Sequence, residues 1–240
     1  FRDKIGCFEY LPPLAKEKQP QVLKQAFAVM DNINKNKDIS RVENIQEEDL
    51  DYYRALGYLC HEKYPDYLCS RDDLSLFTGN KFKSQRASYN YFIKHYDFEW
   101  GKLKLTDKDD CLSLFNSWAA SRETQSIDGL YCGMLEDNRK VIKEAFANYK
   151  QLGLEGVVVR IDKKIQAFSF GCRLSSNTFC ILYEITDLSV KGLAQFIFRR
   201  FCQGLKDYKY INIMDDSGLE NLRRAKLSYK PMRLIPAYIV

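Results

Sequence analysis

Histidine is scarce in this chain, with only His61 and His95 among 240 residues, and neither has a recognisable partner nearby in sequence. The eight cysteines, Cys7, Cys60, Cys69, Cys111, Cys132, Cys172, Cys180 and Cys202, are scattered and form no C-x-x-C pair. A zinc site built on clustered thiolates and imidazoles therefore has no ligand set, and no metal is expected. Most of these thiols stand among apolar neighbours, where free cysteine behaves as a small hydrophobe, which favours a reducing, cytoplasmic setting over a disulfide framework. Long apolar runs are missing too. None approaches the roughly 20 residues that cross a bilayer, and no signal-peptide pattern stands at the start. The chain opens on Phe1 rather than methionine, in what reads as the middle of an element, so a preceding segment is expected.

With 45% hydrophobic and 29% charged residues, the chain can bury a substantial core, as one large domain or two small ones. Its formal net charge of +5 is compatible with an anionic partner such as a nucleotide, RNA or a lipid headgroup.

Periodicity divides the chain into elements. Gly6 to Leu14 reads as a strand, Pro20 to Asn34 as a helix with Val22, Leu23, Ala26, Phe27 and Met30 inward, and Glu47 to Leu56 as a short helix. Tyr58 to Leu68 is aromatic and resists assignment. Gly79-Asn80 makes a turn, after which Phe82, Arg86, Tyr89, Asn90 and Ile93 fall on helical spacing, with Lys81, Lys83 and Lys94 adding charge. Thr106 to Ser121 reads as a helix with Cys111, Leu112, Leu114, Phe115 and Trp118 inward, and the polar run Ser121 to Gly129 suggests a boundary. Asn138 to Leu152 reads as a helix with Val141, Ile142, Ala145, Phe146 and Tyr149 inward. A hairpin at 157–161 and 165–171 and a third strand at Phe179 to Ile185 follow, all antiparallel.

The third strand leads into Thr186-Asp187-Leu188-Ser189-Val190-Lys191-Gly192-Leu193-Ala194 and then a helix to Lys206. A Gly-containing loop that opens a helix straight after a strand offers backbone N–H groups and a positive helix end to phosphate oxygens. Tyr210 to Met214 alternates as a strand, and Ser217 with Glu220 fits a capping box for a helix carrying Leu219, Leu222 and Lys226 on one face and Arg223 and Arg224 elsewhere. Pro231 ends that helix, and Met232 to Val240 reads as a final strand.

This order of elements resembles the GNAT acyltransferase fold, whose loop reads Arg/Gln-x-x-Gly-x-Gly/Ala. Ser189, Gly192 and Ala194 stand at the corresponding positions, so the two small residues match and the first does not. Asp215-Asp216-x-Gly218-Leu219-Glu220-x-Leu222-Arg223-x-Ala225-Lys226-x-Ser228-Tyr229-x-Pro231, with Gly79-x-Lys81-Phe82-x-x-x-Arg86-x-x-x-Asn90-x-Phe92, is similar to motifs of bacterial proteins related to the C-terminal domain of phosphatidylglycerol lysyltransferase. The resemblance implies an α+β fold of two GNAT-like domains in tandem, 1–128 and 129–240, with mixed sheets flanked by helices, the first domain shortened at its start, as in the Fem peptidyltransferases. It implies a transferase that moves an acyl or aminoacyl group from acyl-CoA or aminoacyl-tRNA to an amine or hydroxyl of a lipid or peptide, at the membrane surface or in the cytoplasm. Aligning Leu227-Ser228-Tyr229 with the usual Leu-Gly-Phe puts Arg224 where acetyltransferases often carry a thiolate-protonating Tyr, which weighs against an ordinary acetyl-CoA enzyme.

The expected site comprises Glu184 or Asp216 as base, Ser189, Lys191, Gly192 and Ala194 at the donor's phosphates, Arg223, Arg224 and Lys226 at phosphates of donor or acceptor, and Lys81, Arg86 and Asn90 closing the cleft. Each has a plainer reading. Glu184 is an acid on a strand, Asp215 and Asp216 suit a helix cap, and the cations make a solvated helix face. The alternative function is a binding or regulatory module of the same fold, without turnover, for a nucleotide, RNA or phospholipid headgroup.

Overall fold

Val157 to Val159 with Ala167, Phe168 and Phe170, apolar on both sides of the pleat, form the buried middle of the sheet in the computed structural model, which describes residues 6–14, 17–125 and 129–240. The elements are α1 (Pro20–Ile33), α2 (Leu50–Ala55), β1 (His61–Ser70), α3 (Arg71–Leu76), α4 (Lys83–His95), β2 (Glu99–Lys102), α5 (Lys108–Gln125), α6 (Gly129–Ala147), β3 (Glu155–Ile161), β4 (Lys164–Arg173), β5 (Thr178–Thr186), α7 (Leu193–Gly204), β6 (Tyr210–Asn212), α8 (Glu220–Ser228) and β7 (Arg233–Ile239).

The chain separates into two compact units. The larger holds residues 67–214 and 223–233, with strands in the order β2-β3-β4-β5-β6-β1. β2 to β5 run antiparallel, β5 and β6 pair in parallel, and β6 and β1 are again antiparallel. This is the α+β, mixed-sheet arrangement expected. One face of the sheet carries a core of Phe77, Phe82, Tyr89, Phe92, Phe179, Phe196 and Phe201 under α3, α4 and α7. The other carries Cys111, Phe115, Ile142, Phe146, Phe168 and Phe170 under α5 and α6. Two-sided burial is why β3 and β4 read as continuous apolar runs rather than alternating ones.

The boundary expected at 128 lies outside the described residues. On either side of it, α5 and α6 share one core through Phe115, Ala119, Leu135 and Ile142. The polarity of 121–129 therefore does not separate two cores, and the division into units falls elsewhere. The smaller unit comprises residues up to Asp66 with 215–222 and 234–240, around Phe8, Leu23, Met30, Val42, Ile45, Tyr53 and Val240. Within it the backbones of Ile45 and Tyr238 exchange hydrogen bonds of 3.0 Å in both directions.

Three expectations are corrected and one unassigned segment is resolved. Gly6 to Leu14 forms none of the strands β1 to β7, and a bridge joins its Glu9 to Val42. Tyr58 to Leu68 supplies most of β1, a strand that Pro65 had masked. The buried stripe of α4 is Phe82, Gln85, Tyr89 and Phe92, which leaves Asn90 and Ile93 exposed. Val141 on α6 is half exposed rather than inward.

Candidate functional site

Parallel pairing of β5 with β6 lasts for three positions, Thr178 with Tyr210, Phe179 with Ile211 and Cys180 with Asn212. Past them the strands part. Ile213 donates to the Tyr67 carbonyl at 3.0 Å, and Tyr67 donates to the Met214 carbonyl at 3.2 Å, so the chain turns to β1. Met214 holds a φ of 61°, with its N–H on the buried Asn212 carboxamide oxygen at 2.6 Å. A left-handed methionine is strained, and the buried Asn212 side chain is what holds it.

β5 meanwhile carries a bulge. Phe170 pairs with Tyr183 but Gly171 pairs with Ile181, which leaves Leu182 as the extra residue. Phe179 and Ile181 face α7, whereas Leu182, Tyr183 and Ile185 pack toward α5 and α6. Glu184, between the last two, is thereby turned to the α7 side at the parting.

There the Glu184 carboxyl lies deep among protein atoms, although the residue keeps a small exposed edge. Burial pushes its pKa up to about 8, and the Lys226 ammonium pulls in the opposite direction. Lys226 comes from α8 and donates to the Ile213 carbonyl at 2.5 Å, on the strand across the gap. The Cys202 thiol of α7 and the Tyr229 hydroxyl are both pushed well up, first by burial and then by the charge of Glu184. Tyr229 is fixed by stacking on Phe77 and Phe198, at centroid distances of 6.2 and 4.1 Å. Glu184, Lys226, Cys202 and Tyr229 thus form one buried group of ionisable side chains. Of its three acids, Cys202 and Tyr229 are pushed away from neutrality and Glu184 is pushed toward it.

The loop after β5 is built differently from an empty phosphate cradle. Asp187 accepts from the Ser189 amide at 2.8 Å and from its hydroxyl at 2.7 Å. Gly192 has a φ of 85°, and a side chain there would run into the Ser88 carbonyl of α4. Packing against α4 therefore accounts for this glycine without any ligand. Lys191 lies 4.5 Å over the Tyr91 ring, and Ala194 sits in the first turn of α7.

The remaining expected residues have structural bonds of their own. Lys81 pairs with Asp73 at 2.6 Å, and Arg86 donates to the carbonyls of Phe77 and Gly79, tying the α3–α4 turn. Asn90 is exposed on α4, as are Arg223 and Arg224 on α8. In the smaller unit, Asp216 is buried and accepts from the Gly218 amide at 3.0 Å, while its carbonyl accepts from Leu219 at 2.8 Å. Ser217 donates its hydroxyl to Asp215 at 3.1 Å. The structure brings Lys226 to Glu184 and leaves Lys81 and Arg86 on the α3–α4 turn. Sequence reasoning missed Asp187, Cys202 and Tyr229, although an Asp two residues before a Ser is itself a turn signal.

Behind β5, on the α6 side, an open cleft of about 650 Å³ runs between α6, the α6–β3 turn and the sheet. Phe170, Leu182, Tyr183 and Met214 line its sheet side and Val141, Ala145 and Leu152 its helix side. Tyr183 donates its hydroxyl to Asn138 at 2.7 Å. Tyr183 lies on β5 and Met214 two residues past the end of β6, so the cleft lies beside the point where the strands part. Among the described residues no helix is long and apolar enough to cross a membrane, and no His/Cys/Asp/Glu group has a metal-holding arrangement.

Residues 2–240 match the family model described as "Phosphatidylglycerol lysyltransferase, C-terminal". A conserved protein of unknown function from Bacteroides thetaiotaomicron is 28% identical, with a TM-score of 0.80 over 95% of this chain and 77% of that one. The C-terminal domain of a putative lysylphosphatidylglycerol synthetase from Agrobacterium fabrum is 16% identical, with a TM-score of 0.65 over 97% and 75% of the two chains. FemX is 9% identical, with a TM-score of 0.56 over 91% and 75%. At those last identities the likeness is one of fold. No curated protein matches the chain.

Proposed function

Because the chain belongs to the phosphatidylglycerol lysyltransferase C-terminal family, we propose that it transfers an aminoacyl group from aminoacyl-tRNA to a hydroxyl of a phospholipid, with Glu184 as the proton acceptor. Family and fold support acyl or aminoacyl transfer in general. The choice of donor and acceptor is the proposal.

The observation that carries it is the Glu184 carboxyl at the parting of β5 and β6, buried, held near pKa 8 and faced by Lys226. A base poised there takes a proton from an attacking hydroxyl and returns it, which a surface glutamate does poorly. In the reaction the acceptor oxygen attacks the donor's ester carbonyl carbon while its proton passes to Glu184. The bond from that carbon to the ribose oxygen then breaks, and the ribose oxygen takes the proton back. Lys226 favours the ionised form of Glu184 by its charge. The Gly192 contact with Ser88 argues against a coenzyme A diphosphate against that face of the loop, which is why aminoacyl-tRNA is preferred as donor.

The test is transfer of labelled lysine or alanine from charged tRNA to phosphatidylglycerol vesicles by the full-length protein, with acyl-CoA and an amine-bearing peptide as parallel donor and acceptor. Transfer to lipid that Glu184→Gln lowers by about 10²–10⁴-fold supports the reading. Ligand binding without turnover by the wild type points instead to a binding module. Transfer that survives Glu184→Gln removes that residue from the chemistry.

A further inference from the structure

We infer that Cys172 and Cys180 form a site of reversible covalent modification, closing to a disulfide by exchange with a small-molecule disulfide such as oxidised glutathione. The inference stands apart from the transfer reaction and rests on strand register.

Cys172 of β4 lies directly opposite Cys180 of β5, and the structure holds both as thiols. Residues opposite each other in an antiparallel pair present their side chains on the same face. Cys172 packs with Phe168 and Phe170 toward the core under α5 and α6. Cys180 therefore turns to that side too, while its neighbours Phe179 and Ile181 face α7. Opposite Cα atoms in such a ladder stand about 4.5 to 5.5 Å apart, and a disulfide bridges Cα separations of about 4.4 to 6.8 Å. The two backbones also approach closely here. A side chain on Gly171, next to Cys172, would run into the Cys180 carbonyl. Of the other cysteines, Cys69 faces Ile211 across its strand pair, and Cys111 and Cys202 lie on helices.

The hairpin decides which sulfur meets a reagent. Arg173 with Phe179 is the one pair between the cysteines and the exposed residues 174–177, and Cys172 is half-buried where Cys180 is buried. Cys172 is thus the attacking thiol and Cys180 the resolving one. The Cys172 thiolate attacks one sulfur of the small disulfide and releases a small thiolate. The Cys180 sulfur then attacks the Cys172 sulfur and releases the second. The two protein thiol protons end on the two released thiols, so two electrons pass from the protein to the small disulfide. Burial pushes the Cys172 thiol up, which makes the first step slow near neutrality. On its other side Cys180 pairs with Asn212, whose carboxamide holds Met214 at the parting of β5 and β6. The link closes at the root of the candidate site.

The test is incubation of the full-length protein with oxidised glutathione over a range of mildly alkaline pH, followed by peptide mapping by mass without reductant. The wild type should give a product joining Cys172 to Cys180, lighter than the dithiol by two hydrogens and reversed by dithiothreitol. Its rate should rise about tenfold per pH unit below the Cys172 pKa, as the thiolate fraction does. Cys180→Ala should instead accumulate glutathione on Cys172, because the resolving thiol is gone. Cys172→Ala should abolish both products and leave Cys180 unmodified in the folded protein. A stable glutathione adduct on Cys172 of the wild type, or a link from Cys172 to any other cysteine, overturns the inference. So does a Cys172 that reacts only once the protein is unfolded in urea.

Discussion

Lys226 reaches across the gap between β5 and β6 to the carbonyl of Ile213, at 2.5 Å, and its charge bears on the carboxyl of Glu184. One ammonium thus serves both sides of the parting. Burial raises the Glu184 pKa and Lys226 opposes it, so Lys226→Met should move the rising limb of the transfer rate to higher pH. Lys226→Arg, which keeps the charge, should restore the profile at least in part. A rate–pH curve for each variant checks this, and an unmoved midpoint in Lys226→Met would separate Lys226 from the base.

The same shift has a consequence for stability that needs no substrate. The folded pKa of Glu184 stands at about 8, against an unfolded value of 4.5. Between those values the folded chain holds a proton that the unfolded chain has released, so stability falls as pH rises from about 4.5 to about 8 and is flat above. Glu184→Gln removes that slope. The variant should gain on the wild type by on the order of a few kcal/mol between pH 5 and pH 8.5. Denaturant melts at the two pH values measure the difference, and a gap of the same size at both would refute it.

Gly192→Ala separates the two readings of the loop after β5. The added methyl meets the Ser88 carbonyl, and the backbone is left-handed there. A loss of about 2 kcal/mol or more is expected in urea unfolding. Were Gly192 needed only for a donor's phosphates, stability would hold and donor binding alone would fall.

Asp107 joins β3 to the start of α5. Its carboxylate takes Arg160 at 2.6 Å and the Lys104 amide at 2.9 Å, and the residue is buried. Asp107→Asn leaves Arg160 short of a charged partner, and a loss of about 2 kcal/mol is expected. Thermal melts at low and high salt would check it, with little screening expected because the pair is largely enclosed.

Much of this could be read from the residues, for reasons visible in particular elements. The hairpin at 157–171 was legible because Asp162-Lys163 break two dense apolar runs, and α7 because Leu193, Phe196, Ile197 and Phe201 keep helical spacing. β1 was not, since Pro65 stands inside it and its pairing with β6 joins residues 140 or more positions apart. The phase of α4 was misjudged because Gln85, a polar residue, is buried, its amide donating to the Ser228 carbonyl at 2.8 Å. Glu184 stood out as an acid on an apolar strand. Its environment did not, because Lys226 and Tyr229 arrive from more than 40 residues later, and because a one-residue bulge at Leu182 decides which face the carboxyl takes.

The parting of β5 and β6 is written into the path of the backbone, where Asn212 holds Met214 in its turn and Ile213 goes over to Tyr67. No lid need open to make it. The ordering cost of such a gap is met when the chain folds, so a ligand entering it loses its own freedom but asks little more of the protein. Selectivity at this place should accordingly show itself in how long a ligand stays rather than in how fast it enters.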